Sequence, residues 1–234
     1  MKKIAVTMLI VSALLTTTAL GADFKDMKGH WAEDAVNTLA DRGVIDGFTN
    51  ELFAPDEEVT RAQYLKMIME TTGMDVTPFR EGECLELKGN EWYAPYLQKA
   101  LDCGLVPGAM ITGFKQNVVY TVDENGKATE SKVVYSGAFN GNLPISREEM
   151  AVLTQYVYQY TRTILTNEQI DTSKARDFDD SADIGDWAKA SVKLAVANGF
   201  IEGMENNCFN PKSAATRAQA ATIILRVSNK QEKK

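Results

Sequence analysis

The chain has 234 residues, of which 44% are hydrophobic and 24% charged, so its composition is that of a folded globular protein rather than a disordered one. Its formal net charge of −7 disfavours a general nucleic-acid surface. A single histidine and three cysteines exclude most histidine-based catalytic and metal sites, and we expect neither an enzyme nor a bound metal or other cofactor.

The N-terminus has the three parts of a secretory signal peptide. A basic tripeptide is followed by an apolar stretch over residues 4–15 and by a small-x-small pattern before Ala22. We therefore predict a signal peptide over residues 1–21, whose removal takes away two lysines and changes the net charge from −7 to −9. The apolar stretch is shorter than the roughly 20 residues of a membrane-spanning helix. We expect a secreted protein, with an uncleaved anchor as the alternative.

Three tryptophans each open a segment with the same spacing of apolar residues and glycines. Apolar or small residues follow at offsets of four, five and eight, which lie on one face of a helix. Glycines follow at offsets of twelve and sixteen, and the first of these suits the left-handed turn that ends a helix. We predict a helix of about three turns after each tryptophan. The tryptophans are Trp31, Trp92 and Trp187, and the glycines at offset twelve are Gly43, Gly104 and Gly199.

A second helix in each segment is predicted from a tetrad of the form S/T-x-x-E/Q, which is the sequence pattern of a capping box. The tetrads lie at residues 60–63, 146–149 and 216–219, and apolar residues follow each one at helical spacing. The tryptophan precedes the tetrad's arginine by 30 residues in the first and third segments and by 55 in the second. The sequence therefore predicts a mainly α fold of three helix-loop-helix repeats, with an insertion in the second.

The insertion, at about residues 114–140, changes from helical to alternating periodicity. Val118, Tyr120 and Val122 alternate with polar residues before a turn near Asn125–Gly126, which predicts a β-hairpin. A polar stretch over residues 164–177 is interpreted as a linker. A charged tail over residues 229–234 is expected to fray.

The first repeat closely resembles the S-layer homology (SLH) motif. The resemblance is carried by F-K-D-M-K-G-H-W-A at 24–32, G-V-I-D-G-F at 43–48, F-A-P at 53–55 and V-T-R-A-Q at 59–63. The third repeat resembles it nearly as well. The second repeat lacks a clear F-x-D start and the F-x-P element, and has S-R-E-E in the tetrad. The resemblance implies three motifs in a pseudo-threefold bundle, at residues 22–76, 84–163 and 178–228.

The resemblance also implies a function. Proteins of this family bind a secondary cell-wall polysaccharide, often carrying a pyruvylated sugar, in grooves between neighbouring motifs, and this fixes exported proteins non-covalently to the bacterial wall. We therefore expect an anionic polysaccharide as the partner, and a location in the cell wall or S-layer. The alternative is an envelope protein-protein scaffold that keeps the fold without glycan binding, with a protein partner at the hairpin insertion.

An arginine occupies the first helical position of each tetrad, where the helix dipole disfavours a cation. A carboxylate of the ligand would compensate, because it can accept both backbone N–H bonds and an arginine fork. A salt bridge to Asp56 or Glu57 is the alternative. On the ligand hypothesis, replacing an arginine with alanine weakens binding and leaves stability nearly unchanged, since the capping groups remain. The arginines are Arg61, Arg147 and Arg217.

The other candidate glycan-binding residues have two possible roles each. The tryptophans stack on sugar rings or pack in the core. The glycines at offset twelve end helices, with the floor of a groove as their second role. Asp26 and Asp180 cap helices or bind sugar hydroxyls. His30 is interpreted as a helix-start residue. Cys84 and Cys103 either pair across a loop or, like Cys208, remain free thiols.

Overall fold

The structure is a computed structural model that describes residues 23–84, 87–163, 171–204 and 206–232. The predicted signal peptide and parts of the linker and tail lie outside the described residues. Within them, the chain forms six α-helices and one two-stranded sheet, which confirms a mainly α fold. The elements are α1 (Glu33–Asp41), α2 (Arg61–Thr71), α3 (Ala94–Asp102), β1 (Thr112–Val122), β2 (Ala128–Ala138), α4 (Arg147–Thr163), α5 (Asp186–Ala197) and α6 (Arg217–Glu232).

Helices α1, α3 and α5 end at the predicted glycines. Gly43, Gly104 and Gly199 have φ angles of 67°, 67° and 74°, in the left-handed region that glycine adopts without steric cost. In α1 the glycine N–H donates to Ala40 O at 2.9 Å, and the N–H of Val44 donates to Leu39 O at 2.9 Å. The glycines therefore end these helices, as predicted.

Helices α2, α4 and α6 begin in capping boxes. In each tetrad the N–H of the fourth residue donates to the hydroxyl of the first, at 3.3 Å in all three cases. The N–H of the first residue donates in turn to the glutamine or glutamate side chain of the fourth, at 2.9, 3.0 and 3.4 Å. Two N–H groups that the helix leaves unpaired are satisfied in this way, and the three predicted helix starts are confirmed.

The core lies where α2, α4 and α6 contact one another. Its central side chains include Leu65, Leu153 and Ile224, which have no exposed surface. The Tyr64 hydroxyl joins α2 to α4 through a hydrogen bond to Thr154 Oγ1 at 2.6 Å. The first helix of each repeat, which we call its outer helix, packs on the second helix of another repeat: α1 on α6, α3 on α2 and α5 on α4. One repeat alone therefore leaves an apolar helix face uncovered.

The backbone just before α2, α4 and α6 closes into a ring of three hydrogen bonds. Val59 N donates to Ala215 O at 3.0 Å, Ala215 N to Ile145 O at 2.9 Å, and Ile145 N to Val59 O at 3.0 Å. All three residues are buried. Each repeat is thus bonded directly to both of the others.

The insertion forms the predicted hairpin, with β1 antiparallel to β2 and Val118 opposite Val133. Its turn spans residues 123–127, where Asp123 Oδ1 accepts two backbone N–H bonds at 2.9 Å and Gly126 has a φ of 78°. The base of the hairpin is held by Tyr135, whose hydroxyl donates to Leu101 O at 3.3 Å. Most other residues of the two strands are exposed.

The three cysteines are free thiols, so the bridge between Cys84 and Cys103 is not formed. Burial raises the pKa of Cys84 to about 12, and this thiol stays protonated at neutral pH. Among the described helices, none has both the length and the apolar character needed to cross a membrane.

Candidate functional site

Each arginine of the tetrads lies over a phenylalanine ring of another repeat. The guanidinium carbon is 4.5 to 5.3 Å from the ring centroid, within the range of a cation–π interaction. Each arginine also donates a hydrogen bond to the backbone oxygen of the same phenylalanine. The first repeat contacts the second, the second the third and the third the first. The pairs are Arg61 with Phe139, Arg147 with Phe209, and Arg217 with Phe53.

Phe139 is not identified by the F-x-P pattern, because a glycine stands where the proline is in the other two repeats. The three phenylalanines lie eight residues before their repeat's own arginine. The residue after each phenylalanine, Ala54, Asn140 or Asn210, has a positive φ of 53° to 59°. The second repeat therefore does contain the element that we expected it to lack, with Gly141 in place of the proline. The constant offset of eight residues, and an asparagine that tolerates this backbone conformation, are the signals that identify it.

The helix starts do not present free backbone N–H groups to a ligand. Arg61 N donates to Leu143 O at 3.0 Å and Ala62 N donates to Gly141 O at 2.9 Å, and the starts of α4 and α6 are bonded in the same way. The third N–H is held by the capping hydroxyl. The hypothesis of a carboxylate bound by these N–H groups is thereby corrected, because carbonyls of a neighbouring repeat already accept from them.

The three guanidinium groups differ in burial and in partners. Arg61 and Arg147 are 6% and 5% exposed, whereas Arg217 is half-buried. Arg61 Nη2 lies 3.0 Å from Glu149 Oε1, so its acidic partner belongs to the second repeat and is neither Asp56 nor Glu57. Burial lowers the pKa of all three arginines, and for Arg61 the Glu149 carboxylate opposes this.

A cleft of about 180 Å³ lies between the three repeats, and we call it the first cleft. It is lined by residues 44–47 after α1, by Gln63 and Lys66 of α2, by Trp92 and by Arg217. Arg217 Nη2 donates to Asp46 O at 3.1 Å, while its Nη1 makes no hydrogen bond to the described part of the chain. Lys66 Nζ lies 3.2 Å from Glu70 Oε2, and a partly exposed pair of this kind is weak. The cleft thus brings two cations, the acidic residue Asp46 and an indole together.

The second cation is specific to the first cleft. Lys66 is the fifth residue after the arginine of its tetrad, and the fifth residues in the other repeats are Val152 and Thr222. Val152 is fully buried. In the second repeat, moreover, Glu149 balances the charge of Arg61. The sites around Arg61, Arg147 and Arg217 therefore differ in charge, although their backbone hydrogen bonds are the same.

Both alternatives for the tryptophans occur. Trp31 and Trp92 are 64% and 51% exposed, so their ring faces are open to a ligand. Trp187 is partly buried and packs against the core. Only Trp92 lines the first cleft.

Asp26 and Asp180 hold the turn that contains the phenylalanine. The carboxylate of Asp26 accepts N–H bonds from Phe53 and Ala54 at 2.9 and 2.7 Å. Asp180 accepts the equivalent two bonds in the third repeat, both at 2.7 Å. Neither carboxylate accepts a capping bond at a helix start, which excludes the capping alternative for both residues. Asp26 instead favours the charged form of Arg217 above the turn.

His30 lies just before α1, and its Nδ1 accepts a hydrogen bond from Ala32 N at 3.2 Å, which agrees with a helix-start role. In the part of the chain that the structure describes, no group of three or more histidine, cysteine or acidic residues is placed to hold a metal ion.

The chain is similar to S-layer proteins and to parts of larger enzymes. The S-layer homology domain matches residues 23–65 and 177–221. Exoglucanase XynX of Acetivibrio thermocellus is 31% identical over 201 residues, which cover 86% of this chain and 16% of that protein. The S-layer protein of Bacillus thuringiensis subsp. finitimus is 24% identical over 219 residues, covering 93% of this chain and 23% of that protein. The chain thus spans less than a quarter of either relative.

The matched residues coincide with the first and third repeats that the tryptophan and arginine spacing defines. They include the two aspartates, the phenylalanine turns and the capping boxes described above. The chain therefore carries the S-layer homology domain at two sites, in its first and third repeats.

Proposed function

We propose that the three repeats are three S-layer homology motifs in a pseudo-threefold unit, which attaches the protein to the bacterial cell wall by binding a secondary cell-wall polysaccharide. The cyclic arginine-phenylalanine contacts and the backbone ring support this arrangement. The relatives support the location, since several are named S-layer or surface-layer proteins. On this proposal the protein is a non-catalytic anchor, exported by its signal peptide.

The first cleft is the proposed binding site, and the observation that carries it is the meeting of Lys66, Trp92 and Arg217 around one cavity. Lys66 and the unused Nη1 of Arg217 would bind a carboxylate of the polymer, such as that of a pyruvylated sugar. The exposed ring of Trp92 would pack on the sugar face, and the carboxylate of Asp46 would accept sugar hydroxyls. Without its signal peptide the chain carries a charge of −9 and repels an anionic polymer overall, so attraction has to be local.

The other candidate residues would serve the site indirectly. Arg61 and Arg147 are buried and bonded within the protein, so we assign them the role of fastening one repeat to the next. Gly43 lies just before the loop that lines the first cleft, and Asp26 supports Arg217.

The test is calorimetry with purified wall polysaccharide. Lys66→Ala is expected to weaken binding roughly tenfold or more, because a charge-assisted hydrogen bond contributes about 1.5 to 3 kcal/mol. Trp92→Ala is expected to weaken binding as well, because the contact of the indole with the sugar face is lost. Lys28→Ala is the matched control, since Lys28 is an exposed lysine outside the cleft. Arg217→Lys keeps the charge but not the planar fork, and should weaken binding as well.

The binding measurements can reject the proposed site and the proposed function independently. If the wild-type protein binds the polysaccharide and both Lys66→Ala and Trp92→Ala bind it equally well, the first cleft is not the site. If the wild-type protein shows no binding to walls or to their polymer, the anchoring function itself is rejected. Removing the pyruvyl groups from the polymer tests the carboxylate directly.

A second candidate function is an envelope protein-protein scaffold. One observation that favours it is the ion pair between Arg61 and Glu149, because the site around Arg61 then has no net positive charge for an anionic glycan. The other is the exposed hairpin, which offers a surface to a protein partner. Recovery of a protein partner together with failure to bind the polysaccharide would favour the scaffold over the anchor.

A further inference from the structure

The hairpin exposes an apolar strip that nothing in the described part of the chain covers. Val118, Tyr120 and Val122 alternate along β1 and are 51%, 61% and 56% exposed. Val133, opposite Val118 on β2, continues the same face and is 38% exposed. A two-stranded hairpin is only marginally stable in water by itself, and further strands stabilise it.

The two edges of the hairpin differ. The edge of β2 is partly used, because Tyr135 N donates to Glu83 O at 3.0 Å and Lys132 Nζ lies 3.0 Å from Glu83 Oε1. Among the described residues, β1 has β2 as its only strand neighbour, so its outer edge is unpaired. An unpaired edge with apolar side chains is a template for another strand.

We propose that the outer edge of β1 pairs with β1 of a second copy of this chain, which makes a four-stranded antiparallel sheet. In the register that places Val119 opposite itself, Val118 lies opposite Tyr120 and Lys115 lies opposite Asp123, each twice by symmetry. The charge pairs are complementary, and Lys115 is exposed without an ion pair in the described structure. Such a self-complementary patch is what a twofold interface requires.

Charge favours this part of the surface for self-association. The hairpin, residues 112–138, contains three lysines and three acidic residues and is neutral, whereas the whole chain carries −7. Two copies therefore approach with least repulsion at the hairpins. The pairing covers only a few residues on each side, so the dimer is weak in dilute solution. Attachment of many copies to one surface would strengthen it by raising their effective concentration.

Disulfide trapping tests the register. In an antiparallel pair the Cα atoms of facing residues are about 4.5 to 5.5 Å apart, which a disulfide can bridge. Val119→Cys is therefore expected to form a covalent dimer under mild oxidation. Ser131→Cys, exposed on β2, is the control and should stay monomeric, as should the wild-type protein with its three native cysteines. Absence of dimer in Val119→Cys, or equal dimer in Ser131→Cys, would overturn the register.

Sedimentation across a range of concentrations tests the association itself. Val119→Glu faces Lys132 within its own hairpin, and so is tolerated there, but it would face a second glutamate across the dimer axis. We expect association at least tenfold weaker than in the wild type, whereas Ser131→Glu, with the same added charge, associates normally. A wild-type protein that stays monomeric up to about 1 mM, a concentration at which even very weak complexes form, contradicts the proposal. Polysaccharide binding by Val119→Glu monomers stays unchanged, so this proposal and the binding site fail separately.

Discussion

The first cleft, where Arg217 lies over Phe53, has the same backbone arrangement as the site where Arg61 lies over Phe139, but the two sites differ in charge. In both, an arginine lies over a phenylalanine of another repeat. The neighbouring capping residue is Gln63 in the first case and Glu149 in the second, and only the glutamate pairs with its arginine, at 3.0 Å. Glu149 thus neutralises Arg61 inside the protein, whereas Arg217 has no acidic side chain at the equivalent position and keeps part of its guanidinium exposed.

The largest expected effect is from deleting the insertion of the second repeat together with the phenylalanine turn that follows it. Deletion of residues 115–141 removes Phe139, which lies under Arg61, and Gly141, whose carbonyl accepts from α2. We expect this variant to lose cooperative thermal unfolding. Replacing residues 118–133 with an Asn-Gly turn keeps both residues and should unfold cooperatively near the wild-type temperature. Circular dichroism melting distinguishes them, and equal behaviour would show that Phe139 is dispensable.

The next effect concerns the two arginines. Arg61→Ala leaves Glu149 without its charged partner and two buried carbonyls without a donor, so we expect a loss of about 3 to 5 kcal/mol in the free energy of unfolding. Arg217→Ala is more exposed and should lose about 1 to 2 kcal/mol. Urea denaturation gives both values. Equal losses would mean that the Glu149 pair adds nothing.

Trp187 and Trp92 should differ in the same way, one acting in stability and the other in binding. Trp187 packs against the core, so Trp187→Ala should cost about 2 kcal/mol of stability, somewhat less than a fully buried tryptophan. Trp92 is 51% exposed, and Trp92→Ala should change stability by less than about 1 kcal/mol while it weakens polysaccharide binding. Denaturation curves measure the stability of both variants, and calorimetry measures their binding. A large loss of stability in Trp92→Ala with unchanged binding would show that Trp92 has a structural role.

The smallest effect is a pH dependence in the second repeat. Hydrogen bonds from Arg80 and then Lys132 lower the pKa of Glu83 in the folded protein. A lowered folded-state pKa adds stability at pH values above the unfolded pKa of about 4.3, and this stability is lost as the pH falls through the folded value. The stability difference between wild type and Glu83→Gln should therefore be present at pH 7 and be lost as the pH falls through the lowered pKa of Glu83. A difference that does not change with pH would exclude these ion pairs as its source.

The regular elements could be predicted because they depend on local chemistry. The capping tetrads located the starts of α2, α4 and α6, and the glycines located the ends of the outer helices. Alternation and an Asn-Gly pair located the hairpin. Each of these signals lies within a few residues of the feature that it determines.

The roles of the charged residues could not be predicted, because their partners lie in other repeats. Glu149 is 88 positions from Arg61, and Phe53 is 164 positions from Arg217. The missing proline concealed Phe139, although the eight-residue offset to Arg147 was present in the sequence. The local sequence suggested that the three arginines were free to bind a ligand. In the structure each of them donates hydrogen bonds to backbone carbonyls of another repeat.

The ring formed by Val59, Ile145 and Ala215 has a consequence for the order of folding. Its closing bond joins residues 156 positions apart, and a contact so distant in the chain carries a large loop-closure entropy. The ring cannot form until the third repeat has been synthesised. The first two repeats must therefore wait, with apolar helix faces uncovered, and the fold assembles only after the chain has grown past residue 215.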